Sequence, residues 1–547
     1  MARDPSDILK PSSDGDLLGQ MARTLADAIK GPQTSLPISK QYYNDPAGFV
    51  VDCFRWTSEQ RIVPYQEEIL SNLVAERRVS VRGPHGLGKS ALLSWTILWF
   101  ALTRSGVTDF KIPTTASVFR QLQRFLWPEI HKWATLLNWE RLGRGPFDER
   151  TELSSMALRL KGGEAFAMSS RRADLIEGAH ASELLFVFDE AKTIADPTWD
   201  SAEGAFSIGN CYWLAFSTPG EPLGRFYDIQ SRKPGYEDWW ARHVTIEEAI
   251  AAKRISPEWV EARKLQWGED SQVYQNRVLG EFAIASEDAL IPLSYVEAAN
   301  DRWAEQHEEA MGVPVTALGA DIARFGDDKT VVAKRRGNFV ETLRYYKKQD
   351  TMVTTGYVLS ELREGGLGVI DVIGVGAGVY DRLHELAQAK DTKFRLFAFN
   401  ASAKAGSHLK DRTGNFTFAN LRSASWWHMR ELLDPFSEAE VALPPDDLLI
   451  GDLTTPRWKL DSSGRVLLES KESFKERLGR STNSGDAVIM AFWTPNFTAF
   501  DAADMLLYAH GETNFEDVDN ELLDYAKDSG VKTEIDDGEQ KMRTWHG

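Results

Sequence analysis

Between about Phe49 and Pro219, short apolar runs at 79–82, 184–188 and 212–216 alternate with longer stretches of helical period at 91–102 and 119–133. Runs of four or five apolar residues bounded by polar ones predict strands buried on both faces. Their alternation with helices predicts an α/β layer around a largely parallel sheet. A more helical, tryptophan-rich stretch follows at about 225–300. A second α/β pattern opens with VTALGADIARFGDDKTVVAKRRGNFVETLRYY, which predicts two or three antiparallel strands. It continues through LGVIDVIGVGAGVYDRLHEL as a strand and then a helix, and closes on STNSGDAVIMAFW. Residues 1–45, rich in Ser, Pro and Asp, predict a loosely ordered arm. No internal repeat interrupts this plan.

Composition adds bounds. With 547 residues, 42% hydrophobic and 26% charged, the chain has room for two or three domains with cores, and it holds no apolar run of membrane-spanning length. The opening MARDPSDILKPSSDGDLL has scattered acids and no apolar segment, so no secretory signal is expected. Cys53 and Cys211 are too few for a disulfide framework or a four-cysteine zinc cluster, which suits a reducing cytosol. The net charge of −18 argues against coating nucleic acid by bulk attraction. Half of that excess lies in 501–547, where 13 acidic residues face 4 basic ones. This predicts a solvated acidic tail, with a docking strip for a basic partner as the alternative.

The stretch Gly83-Pro84-His85-Gly86-Leu87-Gly88-Lys89-Ser90 matches G-x-x-x-x-G-K-[ST], with a strand before it and a helix after. Glycines let the backbone wrap a polyphosphate and aim N–H groups at it, and the helix N-terminus adds partial positive charge. Lys89 would then bridge the outer phosphates of ATP and Ser90 would ligate Mg²⁺. A plain glycine-rich turn has the same letters. The buried run 184–188 ends in Asp189 and Glu190, where α/β sheets hold ligands. There Asp189 would orient the metal and Glu190 would polarise a water. The next strand ends in Ser217-Thr218-Pro219, hydroxyls placed to sense a γ-phosphate, or an ordinary turn. Gln66, some twenty residues upstream of the loop, could read an adenine edge.

In the second half, Asp321 and Asp371 end apolar runs and Asp486 opens one. Two of them would terminate strands, and the third would project from the start of a helix packed on the same sheet. Converging, they would form an oxygen-rich pocket for Mg²⁺ or Mn²⁺, with two metals flanking a scissile phosphate. Isolated turn-forming aspartates are the alternative. Asp327 and Asp328 are spare candidates. Lys334, Arg335, Arg336, Lys471, Lys475, Arg477 and Arg480 would contact a DNA backbone, or form a solvated face.

Taken in order, RGPHGLGKS, LLFVFDEA, FSTP, GADIARFGDD, VIDVIGVG and ESKESFKERLGRSTNSGDAV resemble the large terminase subunit of tailed bacteriophages over about residues 50–495. SSRRADLIEGAHASE and TTASVFRQLQRFLWPEI are similar to that family too. The resemblance implies a flexible arm (1–45), a RecA-like P-loop ATPase core (46–224), a small lid (225–305), a ribonuclease-H-like α/β nuclease domain (306–500) and an acidic tail (501–547). It implies that Lys89 and Ser90 hold ATP with Mg²⁺, that Asp189 supports the metal and Glu190 activates water, and that Ser217, Thr218 and Pro219 couple hydrolysis to movement. It further implies that Asp321, Asp371 and Asp486 ligate the nuclease metals. The implied partners are concatemeric double-stranded DNA, the portal protein of the procapsid, the small terminase subunit and copies of the chain in a ring, with no membrane, in the host cytoplasm. A P-loop helicase or recombination ATPase, and a non-catalytic nucleotide-binding assembly protein, are the alternatives. Many relatives carry an arginine in the loop where this chain has His85, which leaves Arg82, Arg120, Arg124, Arg171 and Arg172 as candidates for the γ-phosphate.

Overall fold

The computed structural model describes residues 38–57, 61–116, 118–169, 181–206, 210–323, 329–347, 350–362, 366–389 and 394–493. The expected arm up to residue 37, the acidic tail, and the candidates Arg171, Arg172, Asp327 and Asp328 lie outside the described residues. Contacts divide the chain into two units. One takes the residues up to 82 with 86–217 and 224–244, and the other takes 83–85, 218–223 and the chain from 245 onward.

The first unit is built on β1 (Arg78–Arg82), β2 (Phe110–Ala116), β3 (Leu153–Ser154), β4 (Ala157–Leu160), β5 (Gly163–Ser169), β6 (Glu183–Asp189), β7 (Asn210–Ser217) and β8 (Trp240–His243), in the sheet order β3-β4-β5-β2-β6-β7-β1-β8. From β5 to β8 every neighbouring pair is parallel, and β3 and β4 close one edge as antiparallel strands. All seven residues of β6 are buried, as an unbroken apolar run requires when both sheet faces are covered. The helix Lys89–Arg104 leaves the loop after β1 and is buried without a break from Leu92 to Ala101. β7 lies between β1 and β6, so the strand before the glycine-rich loop and the strand ending in the acidic pair are not neighbours. In register, Arg82 faces Ser217 and Asp189 faces Phe216.

Two expectations change here. The helix expected over 119–133 is helical but not uniform: Phe119–Gln121 passes into a π-helical turn, Leu122–Leu126, and then into Trp127–Thr135. Pro128 accounts for the wide turn, since it has no N–H to donate and its ring crowds the preceding turn of a regular α-helix. The stretch expected as a separate lid from 225 divides differently. Residues 224–244 join the first unit because Trp240–His243 pairs with β1 as an edge strand, and the chain from 245 groups with the second unit.

The second unit holds β9 (Ala317–Asp321), β10 (Lys329–Arg336), β11 (Phe339–Val340), β12 (Arg344–Lys347), β13 (Gly366–Asp371) and β14 (Phe394–Phe399), in the order β11-β10-β9-β13-β14 with β12 also on β10. β10 is antiparallel to β9, whereas β9, β13 and β14 are parallel. An antiparallel hairpin followed by parallel crossovers, with the first strand in the middle, is the ribonuclease-H-like plan. One face packs against the helices Thr351–Glu361 and Gly376–Ala389 through Leu318, Ala320, Val358, Ile370, Val379 and Leu383.

The other face receives the helix Asn483–Phe492 at Gly319. A Cβ there would collide with Ala487 O and stand 2.6 Å from Ala491 N, so only glycine allows the helix to lie this close to the strand. That contact sets the height of the helix start above the ends of β9 and β13. No described helix is long and apolar enough to cross a membrane.

Candidate functional site

In the first unit, Gly86 and Gly88 take positive φ values of 88° and 77°, the left-handed region a side chain resists, and Gly88 caps the helix that begins at Lys89. Tyr65 Oη and Gln66 Nε2 both donate to Leu87 O, at 2.9 and 3.3 Å, while Gln66 Oε1 accepts from Val63 N. Gln66 is 1% exposed, and both ends of its amide are spent on the loop and on its own helix start. Gln66, expected to read an adenine edge, here braces the glycine-rich loop.

Across the sheet end, Lys89 Nζ donates to Glu190 Oε1, and Ser217 Oγ donates to Glu190 Oε2 at 3.2 Å. Glu190 has left-handed backbone angles, φ 50° and ψ 50°, in a residue with no glycine-like freedom. Strain of this kind persists where the surroundings hold it, and here the holding contacts include those to Lys89 and Ser217, the bond from Glu190 N to Asp189 Oδ1 at 3.1 Å, and the bonds from Thr193 N and Oγ1 to Glu190 O. Burial pushes the Asp189 carboxyl up to about 6, Glu190 adds to the rise, and Lys89 opposes it. Gly86–Ser90, Gln66, Asp189, Glu190 and Ser217 thus gather in this unit. Gly83, Pro84, His85, Thr218 and Pro219 group with the second unit, where His85 N donates to Arg277 O at 2.9 Å. Of the arginine candidates, Arg82 ends β1 in register with Ser217, and Arg120 and Arg124 lie on the helical segment around the π turn.

In the second unit Asp321 and Asp371 end the adjacent parallel strands β9 and β13, and Asp486 stands in the first turn of Asn483–Phe492. One cation gathers them. Lys471 Nζ is 3.4 Å from Asp321 Oδ2, 3.6 Å from Asp371 Oδ2 and 3.1 Å from Asp486 Oδ2. Burial pushes Asp321 up to about 7, with Lys471 pulling it back and the other two acids adding to the rise. Asp371 is also raised by burial. Asp486 differs, because Lys471, Arg422 and Thr482 together outweigh its burial and hold it below the ordinary range. Lys471 loses from burial but gains more from the three carboxylates, and is held firmly protonated.

The donor chemistry suits a hard cation: oxygen ligands only, at strand ends and a helix start. The spacing is that of an ammonium. Among the described residues no three Asp, Glu, His or Cys side chains stand close enough together to enclose a metal ion as they are. Three carboxylates around the Lys471 charge, with Arg422 beside Asp486 only, leave an excess of negative charge that a divalent ion would neutralise better.

Most of the basic residues expected to meet DNA are engaged within the protein. Lys334 pairs with Glu361 at 2.8 Å and Arg336 with Glu341 at 2.6 Å. Arg335 donates to Gly337 O and lies over the Phe492 ring. Arg477 holds Glu469 and Thr455 O, Arg480 holds Asp452 and Gln266 O, and Lys471 is the centre of the trio. Lys471 pairs with the trio, and Lys334, Arg336, Arg477 and Arg480 with acids elsewhere in the fold, which charge counting alone does not reveal. Lys475 is exposed, as are Lys404 and Lys410 on the segment that leaves the end of β14.

Several residues of this site were not singled out from the sequence. Asp452 Oδ2 accepts Ser484 N at 2.8 Å and Gly485 N at 3.1 Å, capping the helix that carries Asp486. Trp426 Nε1 donates to Asp486 Oδ1, and Thr482 Oγ1 to Asp486 Oδ2. The Thr482–Asp486 spacing of four at a helix start is a legible signal; Trp426 and Asp452 carry none.

No family model matches the chain. It is similar, at 26% identity over 250 residues, to the probable terminase large subunit of Enterobacteria phage P7. The match covers 43% of this chain and 49% of that protein, so the chain spans about half the length of the relative it matches. Among solved structures it is similar to the nuclease domain of the large terminase subunit gp2 of bacterial virus Sf6, at 21% identity over 38% of this chain and 99% of that one, with a TM-score of 0.31. It is similar also to the large terminase of a thermophilic bacteriophage in complex with ADP, at 12% identity over 79% of this chain and 97% of that one, with a TM-score of 0.36. Scores of that size carry no structural argument. The P7 match repeats the resemblance that the ordered motifs carry.

Proposed function

We propose that this chain is the large terminase subunit of a tailed bacteriophage, an ATPase that drives double-stranded DNA into a procapsid and a nuclease that cuts the concatemer. The observation that carries the nuclease half is the convergence of Asp321, Asp371 and Asp486 on one ammonium, from two strand ends and a helix start. The glycine-rich loop, with Glu190 held between Lys89 and Ser217, supports the ATPase half.

In this reading Gly83–Ser90 wraps the phosphates of ATP, with backbone N–H groups and the Lys89 ammonium as donors. Ser90 and Asp189 would hold the nucleotide's Mg²⁺. Glu190 takes the proton of the attacking water once Lys89 turns to the phosphates. Ser217, already bonded to Glu190, registers the γ-phosphate, and Thr218 and Pro219 pass its loss along the chain. Asp321, Asp371 and Asp486 would hold Mg²⁺ or Mn²⁺, which supplies an activated water and neutralises charge on the leaving oxygen. In this reading the scissile phosphate lies at the ends of β9 and β13, under the start of the helix that bears Asp486. Portal protein, small subunit and neighbouring copies in a ring are the proposed partners, in the host cytoplasm.

The test is paired assays of DNA-stimulated ATP hydrolysis and metal-dependent plasmid cleavage. Lys89→Ala should abolish the first and spare the second, and Asp371→Ala the reverse. A wild type that hydrolyses no ATP with saturating Mg-ATP and DNA would overturn the reading in favour of a nucleotide-binding assembly protein.

A further inference from the structure

Asp486 is the most heavily bonded of the three carboxylates, and its two oxygens are treated differently. Oδ1 accepts the Trp426 indole N–H at 2.9 Å and lies 3.7 Å from Arg422 Nε. Oδ2 accepts Thr482 Oγ1 at 2.7 Å and faces Lys471 Nζ. Arg422 Nη2 donates in turn to Thr482 Oγ1 at 3.0 Å. Trp426 and Arg422 sit one turn apart on the helix Leu421–Leu433, whose start is capped by Asn420 through Ser423 N. The result is a chain of hydrogen bonds from Arg422 through Thr482 to one carboxylate, with Trp426 on its other oxygen and the Arg422 charge across it.

A buried tryptophan often finds an acceptor for its N–H simply because burial demands one. Here that explanation is insufficient. Trp99, Trp199, Trp267 and Trp303 satisfy theirs with backbone carbonyls, Trp133 and Trp427 use the carboxylates of Glu129 and Glu431 four positions away on their own helices, and Trp95, Trp213 and Trp458 have no hydrogen-bond partner for theirs. Trp426 Nε1 instead spends its one donor on the trio. Side chains that orient a metal ligand hold its rotamer and so set the affinity of the site.

We propose that Trp426, assisted by Thr482, is a positioning residue of the nuclease site, turning Asp486 Oδ1 into the protein and leaving Oδ2 as its single oxygen toward the cation position. Asp486 then serves as a one-oxygen ligand. The inference rests on the nuclease reading for its consequence, but the bond geometry stands apart from it.

The experiment measures Mn²⁺ binding to the full chain by calorimetry and electron paramagnetic resonance, beside plasmid cleavage and ATPase, for wild type, Trp426→Phe, Thr482→Val and Asp371→Ala. Trp426→Phe and Thr482→Val should each weaken Mn²⁺ binding about tenfold or more. The cleavage rate at saturating Mn²⁺ should fall far less, and ATPase should not change. Trp426 also packs its ring against Gly485, so Phe could unsettle the fold; Thr482→Val, nearly isosteric, then decides. Unchanged Mn²⁺ affinity in Thr482→Val, and in Trp426→Phe if it folds, overturns the inference while leaving the nuclease reading intact. Mn²⁺ binding that is lost in Asp371→Ala and weakened in both variants, without any cleavage by wild type, upholds the positioning role and removes the nuclease reading. Absence of Mn²⁺ binding by wild type overturns both.

Discussion

Lys471 Nζ stands 3.1 Å from Asp486 Oδ2, and the same nitrogen is the shared partner of Asp321 and Asp371. A divalent ion competes for those oxygens at about 2.1 Å, a shell the ammonium cannot share. Lys471→Ala should therefore bind Mn²⁺ several-fold more tightly than wild type in a direct titration. Without metal the same variant leaves Asp321 and Asp371 without the cation that neutralises them, while Asp486 keeps Arg422, a loss of about 3–5 kcal/mol where a buried pair is broken from one side. Its melting temperature should fall in chelator and recover with Mn²⁺; equal Mn²⁺ affinity in the two proteins would show that the lysine does not compete.

The Lys89–Glu190 pair leads to a different expectation. Replacing the Glu190 carboxylate by an amide keeps a hydrogen-bond acceptor for Ser217 but removes the base. Glu190→Gln should hydrolyse ATP about 10²–10⁴-fold more slowly and still bind nucleotide. Sustained DNA-stimulated turnover by this variant would remove Glu190 from its proposed role.

How much of this was readable in advance follows from what local pattern encodes. Asp189, Asp321 and Asp371 end apolar runs, and a strand end is a local event, so their places at the sheet ends were legible. Asp486 was legible because its apolar run follows at once. Lys471 lies 150 residues from Asp321 in the chain, and no periodicity reports which acids a lysine will meet; it was read as a DNA contact. Gln66 was read as able to face a nucleotide; its contact with the Leu87 carbonyl is set by how closely the helix Pro64–Glu76 packs under the loop, which local pattern does not report. β8 was hidden because four residues of mixed polarity, WARH, make a strand only by pairing with β1. Long-range pairing decided each of these, and it leaves no trace in spacing.

Protonation of Asp321 gives a pH prediction. Its carboxyl is raised from 3.8 to about 7 in the folded chain, mainly by burial. The folded state therefore binds the proton more tightly than the unfolded one. The stability this contributes is full below about pH 4 and is lost as pH rises through about 7. In chelator, the wild-type melting temperature should rise as pH is lowered from about 8 toward about 5.5, and Asp321→Asn should flatten that rise. Parallel profiles for the two proteins would show that Asp321 is not the group responsible.

Gly319 is a position where the unit bearing the three aspartates is sensitive to a single methyl group. Its Cβ would collide with Ala487 O and Ala491 N, both backbone atoms of the helix that carries Asp486, so the helix must move. Overpacking of this kind costs about 1–3 kcal/mol. Gly319→Ala should lose metal-dependent cleavage while ATP hydrolysis in the other unit persists. Full cleavage by this variant would mean that the height of the helix above β9 does not matter.

The path of DNA toward the trio yields the last prediction. With Lys334, Arg336, Arg477 and Arg480 paired internally, the segment after β14 offers the exposed lysines Lys404 and Lys410. Phe399, the last residue of β14, is in register with Asp371, so that segment leaves the sheet beside the site. Ala401 O and Ala403 O then accept from Arg422 N and Leu421 N, tying it to the helix that bears Trp426. Lys404 bridges to Asn420 and Lys410 to Thr417, which holds both lysines on ordered backbone. Each lysine that meets a phosphate releases counterions, and the slope of log K against log salt falls by about 0.9 for each contact removed. Lys404→Ala with Lys410→Ala should weaken DNA binding regardless of sequence and reduce that slope by about 2, with Mn²⁺ affinity unaltered. An unchanged slope in a salt titration would place the DNA elsewhere on this unit.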